Sequence, residues 1–468
     1  MTKAAGVERR TIEAIPAAER HGSPRNQFTL WMGANLQITA VVDGALAVVF
    51  GADAWWAILG LLVGNCVGGA VMALHSAQGP RLGLPQMISS RAQFGVYGAV
   101  VPLVLVILMY LGFTATGTVL SGQAINAFLH VDTPAVGIVL FIALVAVIAI
   151  LGHDLIHKVG RVASVLGVLG FGFLAIRLFA THDVGAAVAH PHFAFVPFLL
   201  AVSLGAGWQL TFGPYVADYS RYLPADTPAR SVFWSTFAGT VLGSQISMTF
   251  GVLVAAVAGD AFLSSQVGWL GGLAGPAVLG ALIYLLIVVG KLTVTCLNAY
   301  GSFMCASTIV TGFTGRQQVG PRMRAVFVLA VLAVSMGIAL WATHDFLANF
   351  KNFVLLLLMV FTPWSAINLT DYYLISKEQV DIPALYDPKG RYGRVNVVAI
   401  STYAIGILVQ VPFLAQSLYT GPLTEKLGGA DISWIVGLVV PAVVYYVWAS
   451  RRNVAPVTTV PMPEPALR

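Results

Sequence analysis

Apolar residues dominate this chain in long runs, and the polar residues gather between them. The runs cover residues 28–50, 54–75, 97–122, 134–152, 162–180, 195–217, 231–258, 274–309, 325–343, 351–370, 395–416 and 431–450. Crossing about 30 Å of hydrocarbon at about 1.5 Å per residue takes roughly 20 residues, so the pattern predicts twelve membrane-spanning helices. The run at 274–309 is too long for one crossing and is expected to begin as a loop element outside the membrane. Glycine and proline recur inside many runs, which hydrocarbon tolerates only where neighbouring helices or a cavity satisfy the freed backbone groups.

Composition excludes a water-soluble globule. Of 468 residues, 58% are apolar and 9% charged, against about half and about a quarter in soluble domains. The net charge of +6 does not mark a nucleic-acid binder, because the basic residues sit in short loops and form no stripe. With the N-terminus inside, twenty-one of the 25 lysines and arginines fall in inner segments, leaving Arg177, Lys291, Lys351 and Lys426. That asymmetry predicts cytoplasmic termini. Residues 1–26 are polar and carry no cleavable signal, so the first run is expected to serve as its own insertion signal. Cys66, Cys296 and Cys305 all lie within apolar runs and read as buried thiols.

Two runs contain related interruptions. The first holds Gly33-Ala34-Asn35-Leu36-Gln37, and the sixth holds Gly205-Ala206-Gly207-Trp208-Gln209 followed by Gly213-Pro214. The two pentads share Gly, Ala and Gln at the same offsets, and transporters bind substrate where helices in corresponding positions of two repeats break at mid-membrane. An amide at that depth is costly unless paired, and it suits the donor–acceptor edge of a heterocycle. Lys291 lies deep in the 274–309 run and Asp43 near the middle of the first; intramembrane charges mark function by default. The two are expected to pair with each other, or one of them to carry a proton. Asn298 lies on the face of Lys291, two turns on.

Other chemistries find little support. His153-Asp154-Leu155-Ile156-His157 has the i, i+4 histidines of a zinc helix, but Asp replaces the required Glu, Lys158 adjoins it, and it reads as an interfacial loop. No phosphate-cradling GxxxxGK[ST] occurs, and no catalytic pair is placed at depth, so neither an ATP-driven pump nor an intramembrane enzyme is expected. A receptor would carry a soluble domain; a channel differs from a carrier by lacking counterflow exchange.

Five stretches carry a family resemblance. They are Glu8-Arg9-Arg10-Thr11-Ile12-Glu13 through Glu19-Arg20; Arg81-Leu82-Gly83-Leu84-Pro85-Gln86-Met87 with Ser90-Arg91-Ala92-Gln93-Phe94-Gly95; Asp218-Tyr219-Ser220-Arg221-Tyr222-Leu223-Pro224; Asn298-Ala299-Tyr300; and Asn368-Leu369-Thr370-Asp371-Tyr372-Tyr373. In this order and at these positions they resemble the nucleobase–cation symporters, which include purine–cytosine permeases, cytosine permease and hydantoin transporters.

The resemblance implies an all-α, twelve-helix LeuT-type fold. A cytoplasmic tail (1–27) would precede one five-helix repeat (28–180) and its inverted copy (195–370). A cytoplasmic loop (371–394), two extra helices (395–450) and a second tail (451–468) would follow. It also implies uptake of a purine, cytosine or similar planar heterocycle across a bacterial inner membrane by alternating access. No cofactor is implied beyond a coupling ion, H+ or Na+. By position, Phe113 and Trp208 are expected to stack on the ring, and Asn35, Gln37, Gln209 and Asn298 to bond its edge. Gly117 stands where relatives have glutamine, which removes the basis for assigning hydantoin or cytosine specificity. The family's sodium site maps to Val289, Leu292 and Thr293, of which only Thr293 has a hydroxyl, and Lys291 lies among them. A fixed ammonium there would repel sodium, so Asp43, Lys291 and Thr293 are expected to govern a proton coupling. The alternative is a sodium-coupled symporter of hydantoin, allantoin or a vitamin-like ring.

Overall fold

The computed structural model describes residues 13–151, 153–189, 191–314, 321–417 and 419–451, with side chains described outside 150–164 and 321. The paired histidines at 153 and 157, the first part of the N-terminal motif and the C-terminal tail lie outside these described side chains. The chain is helical nearly throughout. The principal helices are α1 (Pro24–Asn35), α2 (Ile38–Val49), α3 (Ala54–Leu82), α4 (Gln86–Phe94), α5 (Val100–Leu129), α6 (Pro134–Leu151) and α7 (His153–Thr181). They continue with α8 (Phe195–Leu210), α9 (Ala229–Ala258), α10 (Ala277–Thr314), α11 (Pro321–Ala342), α12 (Phe346–Leu369), α13 (Val397–Leu408) and α14 (Ser433–Ala449).

Among the described residues, six helical stretches are long and apolar enough to cross a membrane: 54–82, 100–129, 195–215, 229–258, 277–314 and 322–375. The last contains α11 and α12, separated by a 3-10 turn at Thr343–Asp345. The pair α1 and α2, bent by 62° at its junction, forms a seventh, and α6, α7, α13 and α14 supply shorter apolar helices. One expectation is corrected here. Only the first three residues of the 274–309 run lie outside a helix: α10 is continuous from Ala277 over 38 residues, and two short helices, Asp260–Ser264 and Gln266–Leu273, precede it.

Small residues set how the helices meet. On α9, Gly239, Gly243, Ser247 and Gly251 recur every fourth residue, and α1 and α2 lie along this stripe. A Cβ at Gly243 would fall 2.9 Å from Met32 Cα, and Ser247 Oγ donates to the Asn35 carbonyl at 2.8 Å. In a bilayer, where lipid is as apolar as leucine, such close backbone approach is what favours helix association.

The same reasoning explains Gly205 and Gly207, and corrects a second expectation. The sixth run is not broken at its pentad, because α8 stays helical through Gln209 and ends at Leu210. Its glycines serve packing: a Cβ at Gly205 would fall 2.7 Å from the Leu61 carbonyl of α3, and one at Gly207 would fall 2.9 Å from Val354 of α12. The interruption comes just after, at Thr211–Phe212 and the 3-10 turn Gly213–Tyr215, where Pro214 cannot extend a helix.

At one end of the bundle, here the near end, the loops are tied to one another. Ile15 N–H donates to the Gly83 carbonyl at 2.9 Å, His21 N–H to Tyr222 at 2.6 Å, and Gln86 N–H to the Asp218 carboxylate at 2.7 Å. Arg81 pairs with Glu378. The Arg91 guanidinium donates to the carbonyls of Leu385 and Thr308 at 3.1 and 2.9 Å. Burial pushes the Tyr386 phenol beside it up to about 12, with the Arg91 charge pulling the other way.

Candidate functional site

The break between α1 and α2 leaves Leu36 and Gln37 outside any helix, with Gln37 extended at φ −147° and ψ 157°. Freed backbone groups at such a depth need partners, and side chains from other helices reach in. Asn35 is fully buried. Its Nδ2 donates to the Trp31 carbonyl at 2.7 Å and to Thr240 Oγ1 at 3.1 Å. Its Oδ1 accepts from Trp208 Nε1 at 2.6 Å. A single hydrogen bond thus joins the first run's break to the sixth run's aromatic.

Lys291 crosses from α10 to the same break. It is 3% exposed, and its Nζ donates to Gln37 Oε1 at 2.9 Å and Thr39 Oγ1 at 2.6 Å. Gln37 Nε2 in turn donates to the Ala34 carbonyl at 2.9 Å. The ammonium therefore bridges the non-helical turn, the start of α2 and α10. Asp43 is not its partner, which corrects the expected pairing. Asp43 lies one turn past Thr39, is fully buried, and neither carboxylate oxygen has a hydrogen-bond partner among the described residues. Thr293 is half-buried and turned onto its own helix, donating to the Val289 carbonyl at 3.5 Å.

The aromatic pair also differs from expectation. Phe113 and Trp208 touch edge to face, with centroids 5.9 Å apart and planes at 89°. Rings meeting at a right angle are a favourable pair, but they form no parallel slot in which a planar guest could be sandwiched. Phe113 meets Phe353 in the same manner at 5.2 Å. Gln209 points away from these rings. Its amide is held between α3 and α9 by Asn65 Oδ1 at 3.0 Å, Ser244 Oγ at 3.0 Å and Thr240 Oγ1 at 2.6 Å. Of the predicted amides, Asn298 alone keeps its side chain unbonded by any described residue, at 8% exposure.

Against Leu297, the neighbour of Asn298 along α10, lies a cavity of about 640 Å³ at the near end; Asn298 itself is not in its wall. Its wall includes Tyr110, Tyr215, Tyr219, Leu297, Gly301 and Asp218. Phe212 and Tyr215 in the α8 interruption, and Tyr219 after it, pack around Trp31 at centroid distances of 5.3, 6.3 and 5.4 Å. Tyr110 meets Tyr215 at 5.5 Å. Sequence reasoning missed these rings. The signal was there, since Tyr110 precedes Phe113 by three residues on one helical face and Tyr215 directly follows Pro214. Among the described residues no cluster of His, Cys, Asp or Glu could hold a metal ion.

Comparison with known proteins gives the family and the fold. The sequence profile of the family described as "Permease for cytosine/purines, uracil, thiamine, allantoin" matches residues 14–437. A putative purine–cytosine permease of Bacillus subtilis, YxlA, is 40% identical over 447 residues, covering 95% of this chain and 96% of that one. The purine–cytosine permease fcyB of Emericella nidulans is 26% identical, covering 94% and 87%. The inward-facing structure of Mhp1 superposes with a TM-score of 0.75 at 18% identity, covering 96% of this chain and 95% of that one. That is the LeuT-type fold implied by the motifs. The chain belongs to this family of membrane permeases, which are transporters and not enzymes.

Proposed function

We propose that the protein imports a nucleobase or related planar heterocycle by alternating access, driven by protons. The relatives named as purine–cytosine permeases support the substrate class. In this reading the bent pair α1–α2, α11 and α12 taken separately, and the shorter apolar helices make up twelve spans. The near end, with its arginines and lysines, faces the cytoplasm. The cavity against Leu297 then serves as the inward exit, large enough for a base and walled by rings that can stack on it.

The observation that carries the coupling is the Lys291 ammonium seated against Gln37 and Thr39. A charge fixed between the α1–α2 break and α10 stands where a metal cation would otherwise join those elements, and it repels one. Purified protein in vesicles would be tested with labelled cytosine, adenine, hypoxanthine, uracil and allantoin. The reading expects accumulation driven by an imposed pH gradient in sodium-free buffer. Uptake that requires sodium and ignores the pH gradient would overturn it.

A further inference from the structure

The contact between α5 and α10 holds buried polar groups that no part of the proposed site uses. On α10, Lys291, Thr295, Asn298 and Ser302 recur at spacings of four, three and four and so share one face. On α5, Tyr110, Thr114, Gly117 and Ser121 recur in the same way. The helices run in opposite directions: Gly117 lies against Lys291 and Thr295, and Gly301 lies against Tyr110. The two polar stripes therefore face each other.

The hydroxyls of Thr114, Ser121, Thr295 and Ser302 are each at most 1% exposed and have no hydrogen-bond partner. An unpaired buried hydroxyl is costly, and a helix offers each Ser or Thr a carbonyl four residues back. Thr116 and Thr118 of α5 take that carbonyl at 2.9 and 2.7 Å. The seam hydroxyls do not. From Lys291, Thr295, Thr114 and Ser302 lead toward Tyr110 and Gly301 in the cavity wall, while Ser121 lies one turn past Gly117 on the other side of the lysine.

We propose that the α5–α10 seam is a proton path between Lys291 and the near-end cavity, completed by water between the hydroxyls. Successive groups on one helix face lie about 5–6 Å apart, a gap that one water closes with two hydrogen bonds of about 2.8 Å. Each hydroxyl both donates and accepts. Lys291 gives one proton to the first carrier and becomes a neutral amine. Each carrier accepts one proton and releases another, and the last passes to water in the cavity.

Titratable and charged groups approach the seam from several elements. Tyr110 lies on α5 itself, Asp43 lies on α2, and Lys351 of α12 sits over the ring of Phe50, at the end of α2, at 3.9 Å. From α11, Arg324 sits over Tyr300 at 5.2 Å, and from α7, Arg177 turns to the Leu273 carbonyl at 3.2 Å. The described side chains of α6 and the segment Gln266–Leu273 bring none. From α4, Arg91 donates to the Thr308 carbonyl of α10 at 2.9 Å. Tyr215 meets Tyr110 at 5.5 Å, with Asp218, Tyr219 and Arg221 also in the cavity wall. The helix α10 itself brings Tyr284, Cys296, Tyr300 and Cys305.

This path rests on the proposed proton coupling, and the experiment separates the two. Wild type, Thr295→Val, Ser302→Ala and the Thr114→Val/Thr295→Val double variant would be reconstituted in vesicles. Uptake driven by a pH gradient and counterflow exchange of labelled cytosine at equal pH would both be measured. Exchange moves the loaded carrier back and forth without releasing its proton. The path predicts at least a tenfold loss of gradient-driven uptake in the double variant, counterflow within twofold of wild type, and near-normal uptake in Thr295→Ser. Equal loss of both activities in every valine and alanine variant, or loss of neither, overturns the path while the coupling stands. Wild-type uptake indifferent to the gradient overturns the coupling and the path with it.

Discussion

Gly117 and Lys291 are fitted to one another: a Cβ placed on Gly117 would lie 2.7 Å from Lys291 Cε and 3.3 Å from its Nζ. The lysine reaches Gln37 and Thr39 across a space that any side chain on α5 would fill. Gly117→Val should therefore push the ammonium off the α1–α2 break. Overpacking of this kind costs about 1–3 kcal/mol. Uptake by Gly117→Val is expected to fall at least tenfold and by Gly117→Ala less, measured in vesicles at matched protein content.

Lys291→Met removes the charge and leaves Gln37 Oε1 and Thr39 Oγ1 without their donor. Gradient-driven accumulation should vanish. Hydrogen bonds to charged groups contribute about 1.5–3 kcal/mol each, so the melting temperature in detergent should fall as well. A Lys291→Met protein that still accumulates substrate against its gradient would remove the lysine from coupling.

The 2.6 Å bond from Trp208 Nε1 to Asn35 Oδ1 ties α8 to the break. Trp208→Phe keeps a ring of similar character but deletes the donor, leaving a buried acceptor short of a partner at about 1–3 kcal/mol. Thermal unfolding should register a loss of that size, and transport should weaken with it. An unchanged melting curve would mean the bond contributes little.

Asn298 and Gln209 should respond oppositely to alanine. Gln209 bonds Asn65, Ser244 and Thr240 between helices, so Gln209→Ala is expected to lower stability. Asn298 bonds no described residue, so Asn298→Ala should leave stability near wild type while abolishing uptake. Normal transport by Asn298→Ala would exclude it from substrate contact.

On α9, Gly243 accepts the backbone of α1, with Met32 Cα at 2.9 Å and Asn35 Cβ at 3.0 Å from a Cβ built there. Gly243→Leu should prevent α1 from seating, and size-exclusion profiles should show loss of the monodisperse protein. A well-folded, active leucine variant would mean the stripe tolerates separation.

Much of the fold is legible in the linear pattern, because crossing hydrocarbon demands runs of apolar residues and the loop motifs mark their ends. The break at Asn35–Gln37 could be read as well, since amides and glycine do not sit idle in an apolar run. What residue types could not convey was direction. Asn35, Gln209 and Asn298 are alike as amides at depth, yet neighbouring helices occupy the first two and leave the third open. Phe113 and Trp208 were recognisable as a ring pair, but only packing decided that they meet at 89°. Lys291 was conspicuous as a buried charge, and its partner depended on helix α10 crossing the break beside Thr39, one turn short of Asp43. Hydrophobic periodicity sets which residues enter the membrane; the small residues at helix contacts set how close and at what angle helices meet, and so which polar groups find each other.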